Sequence, residues 1–167
     1  SGVMFSIDTE SGFPDLVLIS AAYGLGENVV QGAVNPDEYS VFKPTLHESF
    51  RPILRKELGS KEFKLIYDTN GEKLTKNVPV HEKDRSEFVL ADDEILELAR
   101  WAVLVEDHYS KRSGHKMPMD MEWAKVGQSG KLYLVQARPE TVQSRRQLSK
   151  LTEYHLAKPG RVLLNGH

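Results

Sequence analysis

The sequence contains no cysteine. Disulfides, thiolate nucleophiles and cysteine-ligated zinc sites are therefore excluded. No apolar run approaches the roughly 20 residues that cross a bilayer, and Ser1–Gly2–Val3 lacks the basic n-region and cleavage site of a secretory signal. There is no excess charge of either sign: 22 basic and 24 acidic residues leave a net charge of −2. A global pull toward nucleic acid or a membrane surface is absent, and neither is expected as a partner. No Gly-Lys-Ser/Thr triplet and no H-E-x-x-H pair occurs, so the P-loop and zincin readings fail at the outset. The six histidines (His47, His81, His108, His115, His155 and His167) show no metal spacing and read as surface or loop residues. No internal repeat or low-complexity tract appears. These absences suit a cytoplasmic protein.

What remains is an ordinary globular composition, 40% hydrophobic and 28% charged over 167 residues. That is enough for one domain with a real core. The most informative stretch runs from Met117 to Glu140. It reads as two strands, Met119–Lys125 and Lys131–Arg138, around a turn with Gly127 and Gly130, and Pro139 stops the second. Alternation along a strand puts Asp120 and Glu122 on one face, and Gln136 and Arg138 on one face of the partner. A turn centred near Ser129 sets Glu122 opposite Gln136 and Asp120 opposite Arg138. The other face is expected to carry Met121, Trp123, Tyr133, Val135 and Ala137 as core. Two carboxylates, an amide oxygen and a guanidinium then share one patch. Hard oxygen ligands suit Mg²⁺, which takes few protein ligands and leaves room for phosphate, and Arg offers phosphate a planar donor fork. The same pattern also describes a solvated hairpin face with a cross-strand Asp–Arg pair.

Upstream, Val3–Ile7 and Leu16–Ala22 read as a hairpin around a polar turn with Gly12 and Pro14, the second strand being apolar enough to be buried on both faces. Gly24-x-Gly26 lacks the third glycine of a dinucleotide loop and reads as a tight turn into a short helix over Glu27–Gln31. Glu38–Lys43 alternates as a strand, with Lys43 read as a solvated lysine in preference to one facing a phosphate. His47–Lys61, carrying Arg51, Arg55, Lys56 and Lys61, is expected to be a solvated loop or short helix. Phe63–Tyr67 and Lys73–Val80 form a hairpin about Asn70–Gly71, and Ser86–Leu90 is a further extended piece. Ala91–Tyr109 is the most secure helix. Asp92 is its expected cap, Ile95, Leu98, Ala99, Ala102, Val105 and Tyr109 form its apolar stripe, and Glu97, Arg100 and Asp107 its wet face. Thr141–Ala157 reads as a basic helical connector ended by Pro159–Gly160. The fold class is α+β: a mostly antiparallel sheet with packed helices.

The strings Asp120-Met-Glu-Trp-Ala and Leu132-Tyr-Leu-Val-Gln-Ala-Arg-Pro-Glu-Thr141 resemble the end of the nucleotide-binding domain of the phosphoenolpyruvate synthase (pyruvate, water dikinase) family. Ser1-Gly-Val-Met-Phe-Ser-Ile-Asp8, Ala22-Tyr-Gly-Leu-Gly-Glu27 and Val29-Val-Gln-Gly-Ala-Val-Asn-Pro-Asp-Glu38 are similar to the same family, in the same order. The resemblance implies the C-terminal lobe of an ATP-grasp-like nucleotide-binding domain over residues 1–142, with residues 143–167 a helical connector to a phosphohistidine domain. It implies ATP as substrate and Mg²⁺ as cofactor, with Glu122, Gln136 and Asp120 on the metal, Arg138 as the catalytic contact to the phosphates and Glu27 near the nucleotide. It implies a fragment of a longer chain whose partners are a first ATP-grasp lobe, a phosphohistidine domain and a pyruvate-binding barrel. The implied overall reaction turns ATP, pyruvate and water into AMP, phosphoenolpyruvate and phosphate. A related dikinase, a rifampicin-type antibiotic phosphotransferase, or a non-catalytic stand-alone module are the alternatives.

Overall fold

A computed structural model describes residues 1–48, 50–69 and 73–141 of the chain. Its main layer is a six-stranded antiparallel sheet built from β1 (Gly2–Phe5), β2 (Leu16–Ala21), β3 (Asp37–Phe42), β4 (Ile53–Glu57), β7 (Met119–Lys125) and β8 (Leu132–Pro139), in the order β4-β3-β2-β1-β7-β8. A separate two-stranded hairpin is formed by β5 (Phe63–Tyr67) and β6 (Thr75–Pro79). Three helices complete the described residues: α1 (Glu27–Val30), α2 (Glu82–Arg85) and α3 (Asp92–Ser113).

The core lies between one face of the sheet and α3. Alternation sends Tyr39, Ile19, Met4, Met121 and Ala137, paired strand to strand, to that face. Ile95, Leu98, Ala99 and Ala102 of α3 close over it, all fully buried. The helical stripe is as expected. Its start is not, because Ala91 occupies the cap position and its N–H donates to the Glu94 carboxylate at 3.0 Å. Asp92 instead pairs with Lys56 at 2.8 Å. Gly114, at φ 76°, ends the helix in the left-handed conformation that its missing Cβ permits.

Several local expectations are corrected. β2 alternates, with Val17, Ile19 and Ala21 buried and Leu16, Leu18 and Ser20 only half-buried, so it is covered on one face. The stretch 47–61 contains strand β4, whose outward residues Arg55 and Lys56 pair with Glu57 and Asp92. Lys61 is not solvated; it is fully buried against Asp37. Lys43 is buried as well, because it continues the inward series Asp37, Tyr39, Val41 along β3. Its ammonium donates to the Ser6 carbonyl and to Glu106 Oε2 of α3, the latter at 2.5 Å. Residues 86–90 form turns after α2 rather than a strand.

The Gly24–Gly26 turn is a docking point for the second hairpin. Leu25 N–H donates to the Leu65 carbonyl at 2.9 Å, and a Cβ on Gly24 would sit 2.4 Å from that same oxygen. The β5–β6 register runs from Phe63 opposite Pro79 to Tyr67 opposite Thr75, as a hairpin requires. The Asn70–Gly71 turn and the 143–167 connector lie outside the described residues. Among the described residues no helix is long and apolar enough to cross a membrane.

Candidate nucleotide-phosphate site

The sheet face turned away from α3 carries two cross-strand rows. One runs Ser40, Leu18, Phe5, Asp120, Arg138; the other Glu38, Ser20, Val3, Glu122, Gln136. The expected register of the β7–β8 hairpin therefore holds: Glu122 faces Gln136 and Asp120 faces Arg138. Directly opposed residues have Cβ atoms about 5 Å apart, so all four side chains share one patch.

The expectation for the reverse face of β8 does not hold. A register shift between Glu122 and Trp123 leaves Val135 as an extra residue, and Leu134, not Val135, pairs with Trp123. Tyr133 and Val135 are exposed. A bulge breaks strict alternation, which is why period-two counting misassigned them. Only Leu132 and Ala137 of β8 pack against the core, and Gln136 and Arg138 keep to the open face.

The electrostatics of the patch are asymmetric. Arg138 donates from both Nε and a terminal nitrogen to Asp120 Oδ2, each at 2.7 Å. The hydrogen bond and charge of Asp120 raise the guanidinium above its ordinary value, so it stays cationic. Its side chain is 61% exposed, against 14% for Asp120, and the rest of its donor fork is available. Among the described residues the Glu122 carboxylate and the Gln136 amide make no hydrogen bond or ion pair. A half-buried carboxylate and an exposed amide oxygen, side by side and unengaged, are what an oxygen-seeking cation with few protein ligands would use. No group of three His, Cys, Asp or Glu side chains that could hold a metal occurs among the described residues.

Next to this patch is a pocket of about 370 Å³ on the same face, lined by the apolar Phe5, Leu16, Leu18 and Leu54 and by the charged Asp8, Glu10, Glu38, Glu57 and Arg55. Phe5 is the strand partner of Asp120, so the pocket opens beside the charged group. The loop after β1 bounds it. There Asp8 accepts from Glu10 N–H at 2.9 Å and from the Ser11 hydroxyl at 2.5 Å. Glu27 is not brought to the four hairpin residues by any described contact. It is exposed on α1, and its carboxylate accepts from Gln31 at 3.0 Å. Sequence reasoning missed Glu106, the partner of Lys43. Its signal was a glutamate standing four residues after Ala102, within the apolar stripe of α3.

A family model described as the pyruvate phosphate dikinase AMP/ATP-binding domain matches residues 1–157. The chain belongs to that family. A phosphoenolpyruvate synthase of Synechocystis is 62% identical over 99% of the chain, and one of Aquifex aeolicus is 52% identical over 99%. A probable phosphoenolpyruvate synthase of Methanocaldococcus jannaschii is 42% identical over 90% of the chain. The chain spans 20% of the length of the first two relatives and 11% of the third.

Proposed function

We propose that this chain is the part of a phosphoenolpyruvate synthase, a cytoplasmic pyruvate, water dikinase, that holds the phosphate end of Mg-ATP. The observation that carries the reading is the open-face group: unengaged Glu122 and Gln136 beside the Asp120–Arg138 pair, on a chain of the AMP/ATP-binding family. Glu122 and Gln136, with Asp120 next to them, would hold Mg²⁺, which when bound offsets the negative charge of the phosphates. Arg138 would turn its remaining N–H groups to the phosphate oxygens and stabilise the charge that builds during transfer. The apolar side chains Phe5, Leu16, Leu18 and Leu54 of the neighbouring pocket would lie beside the bound nucleotide. In the proposed overall reaction ATP, pyruvate and water give AMP, phosphoenolpyruvate and phosphate, through a phosphorylated histidine outside this chain. A first ATP-grasp lobe, a phosphohistidine domain and a pyruvate-binding barrel are the proposed partners.

The test is an amide NMR titration of the chain with Mg-ATP, beside Gln136→Ala. Shifts concentrated in residues 119–138 and lost in the variant are expected. Shifts that persist unchanged in Gln136→Ala refute the site.

A further inference from the structure

We infer that Lys43 and Glu106 are positioning residues for the Asp120–Arg138 side of the phosphate site, acting through Ser6. The inference rests on the Mg-ATP reading above. The β1–β7 ladder ends where Phe5 faces Asp120. Ser6 follows and is fully buried. It ties Met119 twice: Ser6 N–H donates to the Met119 carbonyl at 3.0 Å, and Met119 N–H donates to Ser6 Oγ at 2.8 Å. Met119 immediately precedes Asp120, whose carboxylate holds Arg138.

This leaves the Ser6 carbonyl as a buried acceptor beyond the ladder's end, and the Lys43 ammonium is its donor. Lys43 is placed by its own N–H, which donates to the Asp15 carbonyl at 2.9 Å, and its charge is balanced by Glu106 Oε2. The other oxygen of Glu106 makes no hydrogen bond, and the nearest cation to it, Lys116, is 3.9 Å away. The carboxylate is thus committed to Lys43.

A buried Lys–Glu pair is a poor way to gain stability, because apolar residues of similar volume hold a core equally well without the desolvation cost. What an apolar pair cannot supply is a donor for the Ser6 carbonyl. The specific contribution of the charged pair is therefore location. It pins Ser6, Ser6 pins Met119, and Met119 sets where Asp120 presents its carboxylate on the opposite face of the sheet.

The experiment compares the chain with the double variant Lys43→Met/Glu106→Leu, which removes both charges and leaves no buried ion unpaired. Two readouts are taken without nucleotide: hydrogen exchange at the Met119 amide, and the Nε–H resonance of Arg138. The variant is expected to melt at or near the parent temperature. Met119 exchange should rise about five- to tenfold, the loss of one hydrogen bond's protection, and the Arg138 signal should move toward that of a free guanidinium. Parent-like exchange and an unmoved Arg138 signal in the folded variant overturn the inference. If the double variant does not fold, Ser6→Ala decides with the ion pair intact: an unmoved Arg138 signal there refutes the relay. Failure of the Mg-ATP reading is seen separately, as an unchanged titration in Gln136→Ala.

Discussion

Replacing Asp37 by alanine is the sharpest test of how the second hairpin is held to the sheet. Asp37 and Lys61 are both fully buried. Asp37 Oδ1 accepts from the Lys61 ammonium and from Gly59 N–H at 2.9 Å; its Oδ2 accepts from Val89 N–H at 2.8 Å and the Tyr39 hydroxyl at 3.2 Å. One carboxylate thus joins β3, the segment leading into β5 and the turns before α3. Alanine strands all of these donors, and Lys61 keeps only the Gly59 carbonyl at 3.0 Å. Breaking a buried pair from one side costs about 3–5 kcal/mol. The orphaned neutral donors add to this but overlap with it, so a loss of about 5 kcal/mol is expected. A domain of this size loses roughly 2–4 °C per kcal/mol, which puts the midpoint about 10–20 °C lower. Lys61→Met should cost less, about 2–3 kcal/mol, because the carboxylate keeps three donors. Adding Lys61→Met to Asp37→Ala should recover stability, since the stranded cation is gone. Urea unfolding followed by the fluorescence of buried Trp123 reads all three variants. A loss below about 1 kcal/mol for Asp37→Ala, or a double variant less stable than Asp37→Ala alone, refutes the reasoning.

Two further outcomes follow from the same structure. Gly24→Ala places a Cβ 2.4 Å from the Leu65 carbonyl at φ +81°, so it should release the β5–β6 hairpin; faster amide exchange at Leu25 checks it, and parent-like exchange there contradicts it. On acidification, three carboxyls depressed in the folded state should weaken the fold. Asp92 is held low by its hydrogen bond to Lys56. Burial raises Asp8 and Glu94, but Asp8 is brought net low by Ser11 and the N–H groups of Glu10 and Ser11, and Glu94 by Lys125 and Ala91 N–H. Their contribution is complete above the ordinary values of 3.8 and 4.5 and is lost as pH falls through the folded ones. Urea midpoints should drop between about pH 5 and 3, with that drop smaller in Lys125→Met; no drop between about pH 5 and 3 contradicts the assignment.

Patterns that depend on short range were legible in the sequence. The α3 stripe, the β1–β2 hairpin and the pairing of Glu122 with Gln136 and of Asp120 with Arg138 follow from period, turn chemistry and a two-strand register. The family strings carried the nucleotide reading for the same reason: they are local. Lys43 was legible too, since it stands in phase with Tyr39 and Val41, but its charge argued for solvent. The 47–61 stretch was misjudged because its basic residues suggested water, whereas β4 is an edge strand whose cations meet acids on β4 itself and on α3.

By itself the sequence determined the α3 stripe, the cross-strand pairing of the four polar residues of the β7–β8 hairpin, and the family. Only the tertiary structure decided which cations go inside. Lys43 and Lys61 are buried because Glu106 and Asp37, 63 and 24 residues away along the chain, reach them. A charge enters a low-dielectric interior only with its partner, and the partner is chosen by packing rather than by neighbours in sequence. The tertiary structure also decided the bulge at Val135, which pairs Leu134 with Trp123 and keeps Gln136 and Arg138 on the open face. One extra residue in a ladder has no composition of its own, so its place is set by what the two sheet faces must each contact.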